Sequence, residues 1–351
     1  MKKLPVLLIL LSLALRACAL DFNPPPLSMT PGPVQPTQPP VIVMATSTPL
    51  PATQTTVPPT ATLPASSETP LPTSTPEPTA TQPPVTDLNA EQLRNSTYNL
   101  QATDHQLRTI TLVNGSYASG PDLAEPGYIA VNLGEQIAFG DLNGDGQKDA
   151  AIITGENFGG TGEFISVQAV LNQGGYPIPD LAGALIDDRA QVQAVTIQDG
   201  EIVVNATIHG PGEPACCAAT LSTRAYQLIA GSLRMTRLTS TTPNAPERVI
   251  TITSPLNGTE IDGPFIIQGN VTVSPFENNL VYSIFTDQDP QPVEQSAFLV
   301  GGDGLGGPGT FELPLDPSKF NYKGTVRIVI SDLSPVDGST LALTTIVLVF
   351  K

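Results

Sequence analysis

The sequence predicts a mainly β protein behind a disordered, Pro/Thr-rich stalk. Charged residues make up only 13% of the 351-residue chain, whereas Pro, Gly, Thr and Val are plentiful, as in β-rich secreted proteins. Beyond residue 109, apolar and polar side chains alternate with a period of two, which is typical of half-buried strands. Asn-Gly and Asp-Gly pairs separate several of these runs and favour two-residue hairpin turns. This composition suits a β protein better than a helical enzyme.

Residues 1–18 have the features of a lipoprotein-type signal peptide. Two lysines precede an apolar run over 4–15 that is too short to span a bilayer as a stable helix. The run ends in Leu15-Arg16-Ala17-Cys18, which resembles the lipobox of bacterial lipoproteins, where the Cys after the cleavage site receives the lipid. Arg16 departs from that pattern, which leaves cleavage nearby, with Cys18 as a free thiol, as the alternative. We expect an extracytoplasmic protein that is anchored to the cell membrane through Cys18.

Residues 19–86 are predicted to be a disordered stalk. Between Asp21 and Thr86 there is no Lys or Arg, and 19 of the 37 prolines lie there. Such a segment buries too little apolar surface to offset the entropy of ordering, and its Pro-Thr spacing favours extended polyproline II conformations. The Thr-Pro runs are candidate glycosylation sites, and a passive spacer without sugar is the alternative.

The loop at residues 141–149 has the spacing of a calcium-binding loop. Acidic and amide side chains alternate there, and Gly146 permits a sharp turn. Position 12 of an EF-hand loop, where a bidentate Glu is needed, is Ile152, so the loop leads into a buried strand. In this it resembles the strand-flanked calcium loops of FG-GAP repeats, but one copy cannot make a propeller. An Asp/Asn/Gly turn without metal is the alternative. We expect calcium as the cofactor, with five ligands: Asp141, Asn143, Asp145, Gln147 through its backbone carbonyl, and Asp149.

Residues 87–238 are predicted to form a β-rich domain around that loop. It opens with a short helix over 86–94, capped by Asp87 or Asn89. A hairpin is expected at Asn114-Gly115, and another at Asp199-Gly200. The second hairpin should turn Ile202, Val204, Ala206 and Ile208 inward. The expected strands cover residues 109–113, 116–117, 128–133, 136–139, 164–171 (half-buried), 192–198, 201–209, 220–229 and 232–238.

Several short segments of this domain follow one another as in a known family. They are Asn95-Ser96-Thr97-Tyr98, the turn at 113–117, the loop region 139–152, the stretch 169–175, and the segment 209–217 with its Cys-Cys pair. In this order they are similar to LppP/LprE-type lipoproteins of mycobacteria over about residues 88–238. The resemblance implies a secreted or lipid-anchored domain and no known activity.

After a polar linker at 239–246, residues 247–351 are predicted to form an immunoglobulin-like β-sandwich. About seven strands in about 105 residues fit that fold. The expected strands cover 249–253, 265–273, 280–286, 297–300, 310–315, 325–331 and 342–350. The strings Ile252-Thr253-Ser254-Pro255-Leu256-Asn257-Gly258, Ile267-Gln268-Gly269 and Ser274-Pro275-Phe276-Glu277 resemble the immunoglobulin-like domain associated with bacterial spore germination proteins.

Cys216 and Cys217 are the cysteines left once Cys18 is set aside. Because they are adjacent, they cannot link distant segments. We expect a vicinal disulfide outside the cytoplasm that makes the surrounding turn rigid. A redox role of a strained bridge is the alternative.

The charge and the missing reaction motifs restrict the function. The formal charge of −17 argues against a nucleic-acid partner, since phosphates would be repelled. The two histidines, His105 and His209, are not spaced as a metal-binding pair, and no nucleophile-elbow motif is present. We therefore expect a protein that is not an enzyme and that serves recognition or adhesion, with an unknown envelope protein or glycan as partner. A structural or accessory subunit of an envelope or germination-type assembly is the alternative.

Overall fold

The computed structural model of the chain describes residues 86–101, 106–120, 122–124, 127–286, 291–302, 306–320 and 322–351. The signal peptide, Cys18, the stalk up to residue 85 and His105 lie outside these ranges. The described part is mainly β, which confirms the predicted fold class. None of its helices has the length and apolar character needed to cross a membrane.

A single short helix, α1 (Ala90–Arg94), opens the described chain where the sequence predicts one. Asn89 rather than Asp87 is its N-cap. The Asn89 side chain accepts a hydrogen bond from the Gln92 backbone N–H at 3.0 Å, and the Gln92 side chain accepts one from the Asn89 N–H at 3.1 Å. This reciprocal pair satisfies two amides that a helix start would otherwise leave without partners.

The domain before residue 242 consists of strands in three sheets. Its described strands are β1 (Thr97–Gln101), β2 (Leu107–Thr111), β3 (Ser116–Ser119), β4 (Ile129–Gly140), β5 (Asp149–Asn157), β6 (Phe164–Gln173), β7 (Tyr176–Pro179), β8 (Ala184–Asp188), β9 (Gln191–Gln198), β10 (Glu201–Ile208), β11 (Thr220–Ile229) and β12 (Ser232–Thr241). Strands β1 and β2 pair with each other. The order β3-β4-β5-β6-β7, with β8 also on β6, forms a second sheet, and β9 to β12 form part of a third.

The sheet that contains β5 and β6 lies between two hydrophobic cores. Ala151 and Ile153 of β5 pack in one core with inward residues of β10, whereas Ala150 and Ile152 pack in the other with α1 and β1. Strand β6 is likewise buried on both faces, which corrects the expectation of a half-buried strand. Its polar residues Ser166, Gln168 and Asn172 are buried too, so the period of two in the sequence did not mark a solvent face.

Two predicted hairpins have different outcomes. At Asp199-Gly200 both residues have positive φ, 50° and 76°, and β9 pairs with β10 across the turn as predicted. The four inward residues of β10 are all buried in the core. At Asn114-Gly115 the turn also has positive φ, 53° and 86°, but only one isolated bridge follows it, because β2 and β3 join different sheets. The strands predicted at 128–133 and 136–139 are one strand, β4, with a register shift between Leu133 and Ile137.

The C-terminal part is the predicted immunoglobulin-like sandwich. Its described strands are β13 (Ile250–Ser254), β14 (Glu260–Ile261), β15 (Phe265–Val271), β16 (Asn279–Thr286), β17 (Glu294–Leu299), β18 (Gly301–Gly302), β19 (Gly309–Leu315), β20 (Gly324–Leu333) and β21 (Thr340–Phe350). One sheet has the order β13-β15-β19-β18, and β17-β16-β20-β21 belong to the other. Ile267, Leu280, Ile284, Ile328 and Leu348 are fully buried in the core of this sandwich. All seven runs predicted from the sequence contain strands.

The two β domains share one continuous sheet. Strand β12 pairs antiparallel with β21 at Arg237↔Thr344 and Leu238↔Leu343, which gives the order β17-β16-β20-β21-β12-β11-β10-β9. Strand β12 extends to Thr241, so the first three residues assigned to the predicted linker are strand, and Thr239 and Ser240 are buried. Through its pairing with β21, β12 connects the sheet of its own domain to a sheet of the immunoglobulin-like domain.

A partly buried ion pair lies beside the turn that follows β12. Ser240 forms an antiparallel bridge with Arg248 and donates from Oγ to the Leu341 carbonyl at 2.6 Å. Arg248 Nη1 in turn donates to Asp332 Oδ2 at 2.6 Å, and Asp332 is only 3% exposed. Burial raises the pKa of Asp332, and the Arg248 guanidinium opposes that rise. The charge on Asp332 therefore depends on Arg248, which lies at the start of the same domain.

We expect Arg248→Met to lower the free energy of unfolding by about 3 kcal/mol at pH 8, because it leaves a buried carboxylate without its cation. The loss should be smaller at pH 5, where the unpaired Asp332 can take up a proton in the variant. Urea unfolding of the purified chain at both pH values measures this difference. Lys351→Met is the control: it removes an exposed pair with Glu260 and should change stability by less than about 1 kcal/mol. Equal losses in the two variants would contradict a special role for the Arg248–Asp332 pair.

Candidate functional site

The acidic loop connects β4 to β5 and folds around the side chain of Asp141. Asp141 Oδ1 accepts from the Gly144 N–H at 2.7 Å, and its Oδ2 accepts from the Gly146 N–H at 2.9 Å. Both glycines have φ near +80°, a region that other residues adopt at a cost. The hydrogen bond from Gly146, together with those from Gly144 and neighbouring amides, lowers the pKa of Asp141 against the effect of burial. Asp141 is therefore held as a carboxylate at neutral pH.

Asn143 and Asp145 form the middle of the loop and contact each other directly. Asn143 Nδ2 donates to Asp145 Oδ2 at 3.0 Å, and Asn143 Oδ1 accepts from the Asp145 N–H at 3.0 Å. Asp145 Oδ1 accepts from the Gln147 N–H at 2.8 Å. Each turn of the loop is thus stabilised by the side chain of the residue that begins it. The side-chain oxygens of Asp141, Asn143 and Asp145 all accept hydrogen bonds from amides of the loop itself.

Asp149 is placed differently from the other four predicted ligands. It is fully buried at the start of β5, and its Oδ2 accepts from the Leu142 N–H at 2.8 Å. Its Oδ1 accepts from the Asn172 N–H, also at 2.8 Å. Burial raises the pKa of Asp149, the two amide hydrogen bonds lower it, and the charges of Asp145 and Asp141 raise it further. Asp149 therefore joins the loop to β6, a structural role that the spacing did not predict.

The side chains of Gln147 and Lys148 also contact residues outside the loop. Gln147 Oε1 accepts from the Gly174 N–H at 3.4 Å, and Lys148 Nζ lies 3.4 Å from Asp87 Oδ2 in an exposed pair. Within the described ranges, no group of three or more His, Cys, Asp or Glu side chains is arranged to hold a metal ion. The predicted ligand atoms still suit a hard cation, because most of them are oxygens. The three carboxylates also lie close together, since the charges of Asp141 and Asp145 raise the pKa of Asp149. Calcium binding stays a prediction.

The Cys-Cys segment forms a tight turn after β10, and Glu213 holds it. The sulfur atoms of Cys216 and Cys217 are in bonding contact. Glu213 Oε2 accepts from the backbone N–H groups of Gly210 and Ala219, at 3.0 and 2.9 Å, and Oε1 accepts from Thr220 Oγ1 at 2.8 Å. Burial alone would raise the pKa of Glu213, but these hydrogen bonds together lower it. We call residues 210–219 the disulfide turn. Its oxidation in the cell stays a prediction.

His209 connects the disulfide turn to β8. Its Nδ1 lies 3.0 Å from Asp187 Oδ2, its Nε2 lies 3.1 Å from the Ala215 carbonyl oxygen, and its backbone N–H also donates to Asp187. Both ring nitrogens thus face acceptors, and both can donate at once only when the ring carries two protons. The sequence did not indicate Asp187 as the partner of His209, because no short-range pattern relates β8 to the end of β10.

A second polar group that the sequence did not indicate lies inside the first domain. Asp180 is 4% exposed, and burial raises its pKa to about 7, although amide hydrogen bonds from Ala169 and Gly183 lower it. The Gln168 amide, with its nitrogen directed toward Asp180, can donate to Asp180 Oδ1 at 3.0 Å. Glu156 is buried nearby on the same sheet and accepts from Thr154 Oγ1 at 3.0 Å. These residues stand where one face of β5 and β6 meets the layer of β1 and β2.

The comparison with known proteins applies to the C-terminal part. The strand order of the two sheets and the hydrophobic core between them identify residues 247–351 as an immunoglobulin-like sandwich. Residues 249–339 match the family model Gmad2, described as the immunoglobulin-like domain of bacterial spore germination, which confirms the predicted resemblance for this segment. No curated protein and no solved structure matches the chain. The likeness of residues 88–238 to LppP/LprE-type lipoproteins stays a prediction.

The two roles of the loop carboxylates can be separated without metal. In the presence of a chelator, Asp149→Asn should lower the free energy of unfolding by about 1–3 kcal/mol, because its new NH₂ group faces a buried backbone N–H. Asp145→Asn, on the exposed side of the loop, should change it by less than about 1 kcal/mol. Urea unfolding of both variants decides the matter. A loss at residue 145 as large as that at residue 149 would mean that the buried hydrogen bonds are not what holds the loop.

Proposed function

We propose that the chain is an extracytoplasmic lipoprotein that serves as a non-catalytic accessory subunit of a cell-envelope assembly. The observation that carries this proposal is the match of residues 249–339 to the immunoglobulin-like domain of bacterial spore germination. The activity that we propose is recognition of another envelope component, a protein or a glycan, by the folded domains. Loops and strand edges of a rigid β scaffold are the parts of such domains that usually bind partners.

The shared sheet supports a role in assembly. Because β12 pairs with β21 and Ser240 also bridges to Arg248 and donates to the Leu341 carbonyl, the two β domains are held together along one sheet. A subunit that touches two neighbours at once benefits from such a fixed spacing, because little ordering entropy is lost on binding. Attachment through Cys18 and a stalk that reaches on the order of 200 Å when extended would let the domains work away from the membrane.

A non-catalytic role is in keeping with the geometry around His209. Its Nδ1 faces a carboxylate, as in a catalytic triad, but its Nε2 faces the Ala215 carbonyl rather than a hydroxyl or thiol. The two sulfur atoms of the neighbouring turn are bonded to each other, so neither is placed as a thiolate nucleophile. The same groups serve a structural purpose, since they fix the disulfide turn against β8.

Crosslinking in intact cells tests this proposal. The tagged full-length chain should fractionate with membranes and crosslink to a distinct envelope partner. Cys18→Ser should move it to soluble fractions or leave the precursor uncleaved, and the crosslinked product should disappear or weaken at least about tenfold as the effective concentration at the membrane is lost. Cys217→Ser, which keeps the lipid site, is the control for anchoring. A wild-type chain that is found unlipidated in the medium, with no crosslinked partner, would contradict the proposal.

Calcium at the acidic loop is the second part of the proposal. Without a Glu at position 12 the affinity should lie in the extracellular range, with a Kd on the order of 10⁻⁴ to 10⁻³ M. With a Kd of about 10⁻⁴ M, about 2 mM Ca²⁺ would stabilise the folded chain by roughly 1.8 kcal/mol. Thermal melting in calcium and in chelator measures this, and Asp145→Ala should remove most of the difference. Lys148→Ala is the control and should keep it, because Lys148 points to Asp87. If calorimetry detects no heat of binding and the chelator leaves the wild-type melting temperature unchanged, the loop is a turn only.

A further inference from the structure

A cavity of about 290 Å³ lies where the disulfide turn meets the junction of the two domains. His209 and Arg224 of the first domain line one side, and residues 339–341 of the immunoglobulin-like domain line the other. Ile208 and Met235 contribute apolar surface. The volume is at the lower end of the range for small-molecule sites. A ligand here would therefore be small and would contact both domains.

Arg224 gives this cavity a cation with unused donors. The residue is 9% exposed, on the inner side of β11. Its Nε donates to Ser222 Oγ at 3.2 Å and its Nη1 donates to the Ile186 carbonyl at 2.6 Å. The guanidinium also lies close enough to the Tyr226 hydroxyl to oppose the rise that burial causes in the pKa of that group. Because a guanidinium has five N–H donors, these contacts still leave part of its planar fork available. A buried cation with free donors beside an open volume favours an anionic group, and a carboxylate matches the fork with two parallel hydrogen bonds.

The other charged groups at the cavity limit the charge of the ligand. Asp187 also lines it, and its carboxylate is paired with the ring of His209. No carboxylate of the cavity lining is paired with Arg224, so its positive charge is not offset there. A doubly charged phosphate would meet one free guanidinium and the carboxylate of Asp187, whereas a carboxylate would bring a single negative charge. The lining favours a monoanion with an apolar body.

We propose that this cavity binds a small organic monocarboxylate, with its carboxylate on Arg224 and its apolar body against Ile208 and Met235. The site is distinct from the acidic loop, none of whose residues lines the cavity. Because both domains line it, an occupied site would also stabilise their junction.

Methyl NMR of the full-length chain tests the site directly. Met235 is the only methionine after residue 85, since Met1, Met29 and Met44 precede it, so a ¹³C-methyl-methionine label gives one reporter inside the cavity. The probe is 4-methylpentanoate, a branched monocarboxylate, and 4-methylpentanamide is its uncharged control. We expect the carboxylate to shift the Met235 resonance with a Kd of about 1 mM, and the amide to bind at least about tenfold more weakly.

Two variants test the roles of the cation and the cavity. Arg224→Lys keeps the charge but loses the fork, and it should weaken binding of the carboxylate about tenfold. Ser339→Trp places a large side chain at an exposed lining position and should abolish the shift. Val336→Trp is the matched control, because Val336 is 72% exposed near Ser339 and does not line the cavity.

Three results would overturn the proposal. The first is a Met235 resonance that does not move up to about 10 mM 4-methylpentanoate. The second is equal binding of the acid and the amide, which would mean that Arg224 does not select charge. The third is unchanged binding in folded Ser339→Trp, which would place the probe outside this cavity. None of them affects the crosslinking expected of an accessory subunit, so the two proposals fail separately.

Discussion

The burial of strands β5 and β6 on both faces is the constraint on which the first domain depends. A strand between two cores must be apolar on both sides, and Ala150, Ala151, Ile152 and Ile153 meet this requirement in consecutive positions. The chain has to enter this layer from an exposed loop, and Asp149 is the residue at the boundary. Its carboxylate is fully buried and accepts hydrogen bonds from the backbone N–H groups of Leu142 and Asn172. These two N–H groups would otherwise lack partners there. The acidic loop therefore satisfies the backbone groups at the start of a buried strand. Its own side chains already order it, and any metal would add to that order.

The second constraint is the pairing of β12 with β21, which turns two domains into one sheet. An edge strand exposes unpaired backbone groups, and joining two edges removes both at once. The polar residues of the turn follow from this. Ser240 and Arg248 bridge each other, and Asp332, from the same domain as Arg248, supplies the countercharge to the guanidinium.

The sequence was sufficient where local chemistry decides the structure. Asp199-Gly200 requires positive φ at both positions and forms the predicted hairpin, and the capping pair Asn89 and Gln92 starts the helix where it was expected. It was insufficient where distant segments decide. The turn at Asn114-Gly115 forms, but which sheets its flanking strands join depends on packing against β1 and β4. The same holds for the sites. The spacing of Asp141, Asn143 and Asp145 is visible in the sequence, and the calcium that it predicts stays a prediction. The partner of His209 and the environment of Arg224 arise only when β8, β10 and β11 come together.

The position of the cavity explains why a family likeness cannot reveal its ligand. The matched segment ends at Ser339, so only the first of the three cavity-lining residues of the immunoglobulin-like domain falls within it. The charged groups, Arg224, His209 and Asp187, all come from the first domain, and the disulfide turn positions His209 among them. The site thus belongs to the combination of the two domains. Any selectivity that it has is set by how β12 and β21 pair, because that pairing fixes the distance between the guanidinium and the opposite wall.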